Sequence, residues 1–249
     1  MTTFPSKSLT SNCFVFGLAL LASLLVLNAC FFDEEVAPLG PDDVQFPSTD
    51  GTLLSGHHYG YSDITVVLAH MFPSDPQIRR EFADILNKAG YAAFSFNFRG
   101  FKPSKGDKEI PLIDRDLEGA LEYLESRGVK KFFIIGASMA GTAAIKVAAH
   151  RDIIAGVVTI SAPLEINGLA AEEDVKLVSG AKLFLAAEDD KSAQYAAGTF
   201  YNAARPPKLF ESFSGSEHGT DLLYGQHAVN IQQRIIEFID GFAGSTELR

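Results

Sequence analysis

The run Phe132-Phe133-Ile134-Ile135-Gly136-Ala137-Ser138-Met139-Ala140-Gly141-Thr142-Ala143-Ala144 restricts this chain more than any other segment. An apolar, β-branched and aromatic stretch predicts a buried strand, and the alanine-rich stretch after it predicts a helix. Only small residues lie between them, so the backbone is free to make one sharp, strained turn. A serine at the apex of such a turn has its hydroxyl lifted clear of the sheet, the geometry of a nucleophile elbow. The same turn aims the backbone N–H of Met139 at the space above that hydroxyl, where an oxyanion would form. A Gly-x-Ser-x-small match also arises by chance, and Ser138 then is just a small residue in a tight turn. The surrounding order of elements decides between these readings.

From Leu53 onward, apolar runs alternate with helical patterns, which predicts a mostly parallel sheet of about eight strands with helices on both faces. Strands are expected at Leu53–Tyr59, Ile64–Ala69, Ala92–Phe98, Lys131–Ile135, Ile153–Ile160, Lys182–Ala187 and Lys208–Phe213. Helices are expected at Pro76–Ala89, Asp114–Arg127, Ser138–His150, a short acidic segment Ala170–Val178, Ser192–Ala204 and Ala228–Phe242. No insertion is long enough for a large cap. Ligands of open parallel sheets bind beyond the carboxyl ends of the strands, so the residues just after each strand are the candidates for chemistry.

A serine hydroxyl needs a base within hydrogen-bond reach, and the base needs an acid to orient it. Glu188-Asp189-Asp190 follows the strand ending at Ala187, and Ser214-Gly215-Ser216-Glu217-His218-Gly219 follows the strand ending at Phe213. The chain order is therefore serine, acid, histidine, the order of the α/β-hydrolase triad. Ser138 and His218 are the candidate nucleophile and base, and both Asp189 and Asp190 stand as candidate acids.

These features resemble the α/β-hydrolase superfamily, in its small esterase and dienelactone-hydrolase-like form without a substantial cap. The likeness covers about residues 50–242. Asn97-Phe98-Arg99-Gly100-Phe101-Lys102-Pro103-Ser104-Lys105-Gly106 resembles the Asp-x-Arg-Gly-x-Gly-x-Ser-x-Gly loop of such enzymes. His70-Met71-Phe72-Pro73 resembles their His-Gly oxyanion loop. The resemblance implies a three-layer α/β-hydrolase fold, Ser138 as nucleophile, His218 as base, and Asp190 as acid because it matches the end of the family's Gly-x-x-Asp turn. It implies the backbone N–H groups of Met71 and Met139 as oxyanion donors.

Three positions depart from the family pattern. Ala140 replaces the second glycine of the elbow. Met71 stands where the oxyanion loop usually has glycine, and its side chain is expected in the acyl pocket, which it would narrow. Asn97 replaces the aspartate of the Arg-Gly loop, removing an expected ion pair with Arg99. Arg99 is read as a structural donor between loops ahead of a substrate clamp.

The other histidines have simpler readings. His57 and His58 lie on an early strand far from the elbow and are expected to be exposed. His150 ends a helix, where a cation favours the dipole. His70 is expected to organise the oxyanion loop, and His227 is the one rival to His218. No histidine pair has metal-ligand spacing on one helix. The Gly-x-x-x-x-Gly-Lys and Gly-x-Gly-x-x-Gly loops are both absent, so no metal, nucleotide or other cofactor is implied.

The amino terminus carries a separate signal. Lys7 precedes an uncharged apolar run, Cys13–Leu27, and Leu27-Asn28-Ala29-Cys30 places a small residue just before a cysteine. This resembles a bacterial lipobox, with 1–29 as signal peptide and Cys30 as the lipidated residue. A plain secretory signal or a retained anchor are the alternatives. Residues 30–45, rich in acid and proline, read as a flexible tether, and 46–249 as the folded domain. Cys13 and Cys30 are the only cysteines, so the domain forms no disulfide.

The net charge of the whole chain is −10; removing 1–29 takes away Lys7 and no acid, leaving 20 basic against 31 acidic side chains, or −11. Such a domain repels nucleic acid. The expected protein is thus an envelope serine hydrolase, lipid-anchored through Cys30, that cleaves small carboxylic esters. Acyl transfer or amide hydrolysis at the same triad, and a non-catalytic ligand-binding lipoprotein, are the competing readings.

Overall fold

A computed structural model describes residues 1–3 and 40–244. The signal segment beyond residue 3, and Cys30 with it, lie outside the described residues.

The first strands are β1 (Asp43–Pro47), β2 (Leu53–Tyr59) and β3 (Ile64–Ala69), followed by α1 (Pro76–Lys88) and β4 (Ala92–Asn97). Next come α2 (Ile113–Ser126), β5 (Lys131–Ala137), α3 (Met139–Ala148) and β6 (Ile154–Ile160). A hairpin of two-residue strands, β7 (Glu165–Ile166) and β8 (Leu169–Ala170), leads to β9 (Ala181–Ala187). The described chain closes with α4 (Lys191–Ala203), β10 (Lys208–Phe213) and α5 (Ala228–Ala243). Eight strands form one sheet in the order β1-β2-β4-β3-β5-β6-β9-β10. The pairs β1–β2 and β2–β4 are antiparallel and every other pair is parallel.

The period-2 alternation of β5 explains the three layers. Phe132 and Ile134 join the core beneath α2, α3 and α4, while Phe133 and Ile135 join the core beneath α1 and α5. All four are buried, which only a strand covered on both faces permits. Phe46, Phe94 and Phe96 fill the first core with Leu117 and Leu121; Phe82, Leu86, Ile231 and Ile235 fill the second.

Two expectations change here. Residues 43–45, read as tether, belong to β1: Val44 pairs with Gly56 and Phe46, 1% exposed, with Leu54. The segment expected as a helix at Ala170–Val178 is instead the end of the β7–β8 hairpin and a single 3-10 turn, Asp174–Lys176. Five α-helices are therefore present among the described residues. An amphipathic period needs several turns to show, and this segment is too short to hold one.

Candidate active site

Ser138 lies between β5 and α3 with φ 50° and ψ −123°, a left-handed conformation rare for a residue with a Cβ. Two contacts hold it there: its N–H donates to Ile160 O at 2.8 Å, and its carbonyl accepts from Gly141 N–H at 2.8 Å. The turn is tight enough to dictate its neighbours. A Cβ on Gly136 would lie 2.5 Å from Ala140 O, and one on Gly141 would lie 2.6 Å from the Ala162 methyl. Ala140, fully buried, does carry a Cβ, and the second close approach falls one residue later at Gly141. Strain of this kind persists only where surrounding contacts over-determine it.

Asp190 ends the turn after β9 and caps α4, with Oδ1 accepting from Ala193 N–H at 3.4 Å. Its other oxygen, Oδ2, lies 2.5 Å from His218 Nδ1, and His218 Nε2 lies 2.9 Å from Ser138 Oγ. A carboxylate only accepts, so Nδ1 carries the imidazole proton and Nε2 offers its lone pair to the serine hydroxyl. The three side chains come from loops after β5, β9 and β10, at the carboxyl edge of the parallel strands. The acid and histidine loops are also tied together: Glu188 N–H donates to Phe213 O at 2.8 Å and Asp189 N–H to Gly215 O at 2.9 Å. Asp189 itself is turned outward, 2.8 Å from Lys191 Nζ. The two acids thus part ways because the helix cap holds one of them facing inward.

The loop expected to supply an oxyanion donor follows β3. His70 is buried, with Nε2 accepting from Phe98 N–H at 3.1 Å. Nδ1 therefore carries the proton and donates to Met71 O at 2.8 Å. Burial, with the nearby Arg79 guanidinium adding to it, pushes the His70 imidazole down to about 3, so it stays neutral. Met139, the first residue of α3, has an N–H without an intrahelical acceptor, as first-turn residues do. The Met71 side chain, expected in the acyl pocket, packs against the loop after His218. Its sulfur lies 3.2 Å from both Thr220 N and Thr220 Oγ1, in the 3-10 turn directly after His218. Beside it, Phe72 is exposed and meets Phe101 edge-on at 5.9 Å. Lys108 Nζ lies 5.1 and 4.7 Å from these two rings, at an open groove of about 480 Å³.

The Arg-Gly loop is anchored by a buried ion pair. Arg99 Nη2 lies 2.7 Å from Asp116 Oδ1, Arg99 N–H donates to Asp116 Oδ2 at 2.8 Å, and Asp50 adds a contact at 2.8 Å. Arg99 is thus fully engaged in holding loops. Asn97 makes its contacts elsewhere: Oδ1 accepts from Arg79 Nη2 at 2.7 Å and Nδ2 donates to Lys102 O at 2.8 Å. The sequence reading missed Asp116, yet a signal existed, since an acid sits inside the apolar 113-117-120-121-124 stripe of α2.

The other histidines make their contacts away from Ser138 and Asp190. His58 is buried, contrary to expectation, with Nε2 3.1 Å from Tyr123 Oη and its ring 4.8 Å from Phe94. Successive side chains of β2 alternate between faces, and His58 falls on the one packed with Phe94 and Tyr123. His57 is half-exposed and pairs with Asp43 at 2.6 Å. His227 Nε2 lies 2.8 Å from Ser214 Oγ. His150 is exposed, 3.6 Å from Asp174. Among the described residues no three His, Cys, Asp or Glu side chains gather as a metal site.

A strained serine after the fifth strand, and an acid and a histidine on the loops after two later parallel strands, define an α/β-hydrolase architecture. Residues 64–189 match the family model described as alpha/beta hydrolase fold, and the chain belongs to this family. It is 30% identical over 125 residues to the thermostable monoacylglycerol lipase of Bacillus sp. (strain H-257), covering 48% of this chain. The match spans 50% of that lipase, about half the length of the curated relative. Among solved structures, the esterase Pf2001 of Pyrococcus furiosus superposes with a TM-score of 0.72 at 18% identity, over 81% of this chain and 92% of that one. The monoacylglycerol lipase of Paleococcus ferrophilus does so with 0.66 at 16%, over 76% and 99%. At these identities the structural likeness is one of fold.

Proposed function

We propose that the chain hydrolyses carboxylic esters through an acyl-serine intermediate. The observation that supports this most is the unbroken hydrogen-bond chain Asp190–His218–Ser138, at 2.5 and 2.9 Å, ending on a strained elbow serine. Ser138 Oγ attacks the ester carbonyl as its proton passes to His218 Nε2. The N–H groups of Met71 and Met139 receive the negative oxygen of the tetrahedral intermediate. His218 then returns the proton to the leaving alkoxide, and Asp190 stabilises the imidazolium in between. Water repeats the cycle on the acyl-serine, releasing the acid and restoring the hydroxyl. The likeness to a monoacylglycerol lipase and the apolar edge formed by Phe72 and Phe101 favour acyl esters of small alcohols, monoacylglycerols among them.

The test pairs a fluorophosphonate probe with p-nitrophenyl esters and monoacylglycerols of increasing chain length, using the full-length chain. Wild-type protein should be labelled at Ser138, and Ser138→Ala should lose label and about 10⁴-fold or more of its turnover. Folded wild-type protein that takes no label would make the chain a ligand binder and end the enzymatic reading.

We also propose that Cys30 anchors the protein to a bacterial envelope membrane after export. Metabolic labelling with a fatty acid should mark the wild-type chain, and Cys30→Ala should abolish the mark.

A further inference from the structure

We infer that the Met71 thioether is a positioning residue, clamping the oxyanion loop to the loop that carries His218. The inference deepens the proposed ester hydrolysis and rests on it. The turn Gly219–Leu223 starts immediately after His218 and has no side-chain cap of its own. Its Thr220 N–H, one of the donors a helical turn leaves unpaired, finds Met71 Sδ at 3.2 Å, and the Thr220 hydroxyl finds the same sulfur at 3.2 Å. Gly219, at φ 59°, lies so close that a Cβ there would sit 2.4 Å from that sulfur, which would then have to shift.

The other end of Met71 is fixed independently. Its carbonyl accepts from His70 Nδ1 at 2.8 Å, and His70 is itself held by Phe98 N–H at 3.1 Å. A residue held at both its carbonyl and its side-chain tip has little freedom left in its N–H, the group proposed to face the oxyanion. Met71 is 9% exposed, so both contacts are shielded from water that could replace them. The thioether is a weak acceptor, but its long unbranched stem spans the gap between two loops that share no strand. A glycine at this position would leave Thr220 N–H and the oxyanion loop unconnected.

Met71→Leu keeps the volume and the backbone donor while removing the acceptor. Its kcat should fall roughly tenfold, a fraction of the 10²–10³ that outright loss of an oxyanion donor costs. KM should stay within about twofold, as expected for an interaction realised in the transition state. Met71→Gln restores an acceptor of similar reach and should recover most of kcat. Thr220→Val should lower kcat less than Met71→Leu, and the double variant should be no worse than Met71→Leu alone, because both act through one contact. Thr220→Val leaves the methionine in place and reports on the clamp even if Met71→Leu does not fold.

Wild-type kcat in Met71→Leu, equal losses in the Leu and Gln variants, or additive losses in the double variant would each overturn the clamp. The fluorophosphonate rate separates the two readings. Rapid labelling of wild-type Ser138 with no slowing in Met71→Leu overturns the clamp and leaves the hydrolase standing. Wild-type protein without label overturns both.

Discussion

Asp190 holds the Nδ1 of His218 at 2.5 Å with one oxygen and the first turn of α4 with the other, while Asp189 faces Lys191 and solvent. Neighbouring acids with such different surroundings should differ sharply in function. Asp190→Asn should lower kcat/KM by about 10⁴, the cost of presenting the wrong imidazole tautomer in this constellation. Asp189→Asn should remain within about twofold of wild type, since an exposed ion pair contributes 0–1 kcal/mol. Steady-state kinetics on one short ester decides it, and equal losses in both variants would contradict the assignment.

Asp116 is fully buried and accepts from three donor groups of Arg99, its backbone N–H, Nε and Nη2. Removing the carboxylate leaves a buried guanidinium with Asp50 as its nearest remaining acid. Asp116→Ala should cost about 3–5 kcal/mol in urea unfolding, the usual penalty for breaking a buried pair from one side. A loss below about 1 kcal/mol would show that Asp50 and solvent replace it.

His70 should shape the acid limb of stability. Its imidazole, held down to about 3 by burial and then by Arg79, stays neutral in the fold while the unfolded chain takes a proton near the usual 6.5. The unfolded state therefore binds more protons below 6.5. Stability is fully present above 6.5 and falls as pH drops toward 3, with a slope approaching about 1.4 kcal/mol per pH unit. In His70→Gln that slope should flatten, although the variant is less stable at pH 7. Urea midpoints from pH 7 to pH 4 measure both chains.

Lys182 is a buried cation whose ammonium has Val178 O at 3.0 Å. Burial, then Lys208 and Arg205, push it down to about 8 from its ordinary 10.5. Below pH 8 the fold carries the cost of a buried charge. Between 8 and 10.5 the folded state has lost a proton that the unfolded state retains, so stability rises with pH in that window. Lys182→Met should raise the Tm at pH 7, and the gain should shrink between pH 8 and 10.5. A variant less stable at every pH would show that the bond to Val178 O outweighs the desolvation.

The linear order of residues was enough for the layers and for the candidates. Strand and helix periods differ, so β5 and α2 are legible by pattern alone, and the small residues around Ser138 announce a sharp turn before any coordinate is known. The order serine, acid, histidine, each just past a strand, follows from counting elements. Short-range pattern says nothing about which groups meet across the sheet. The inward turn of Asp190, the Arg99–Asp116 pair, the burial of His58 and the reach of the Met71 sulfur to Thr220 all join residues far apart in the chain. β1 leaves no periodic mark, because a five-residue strand is stabilised by its partner β2 and not by its own period. Periodicity reports which face of an element is buried; only packing in three dimensions selects the partner on the other side.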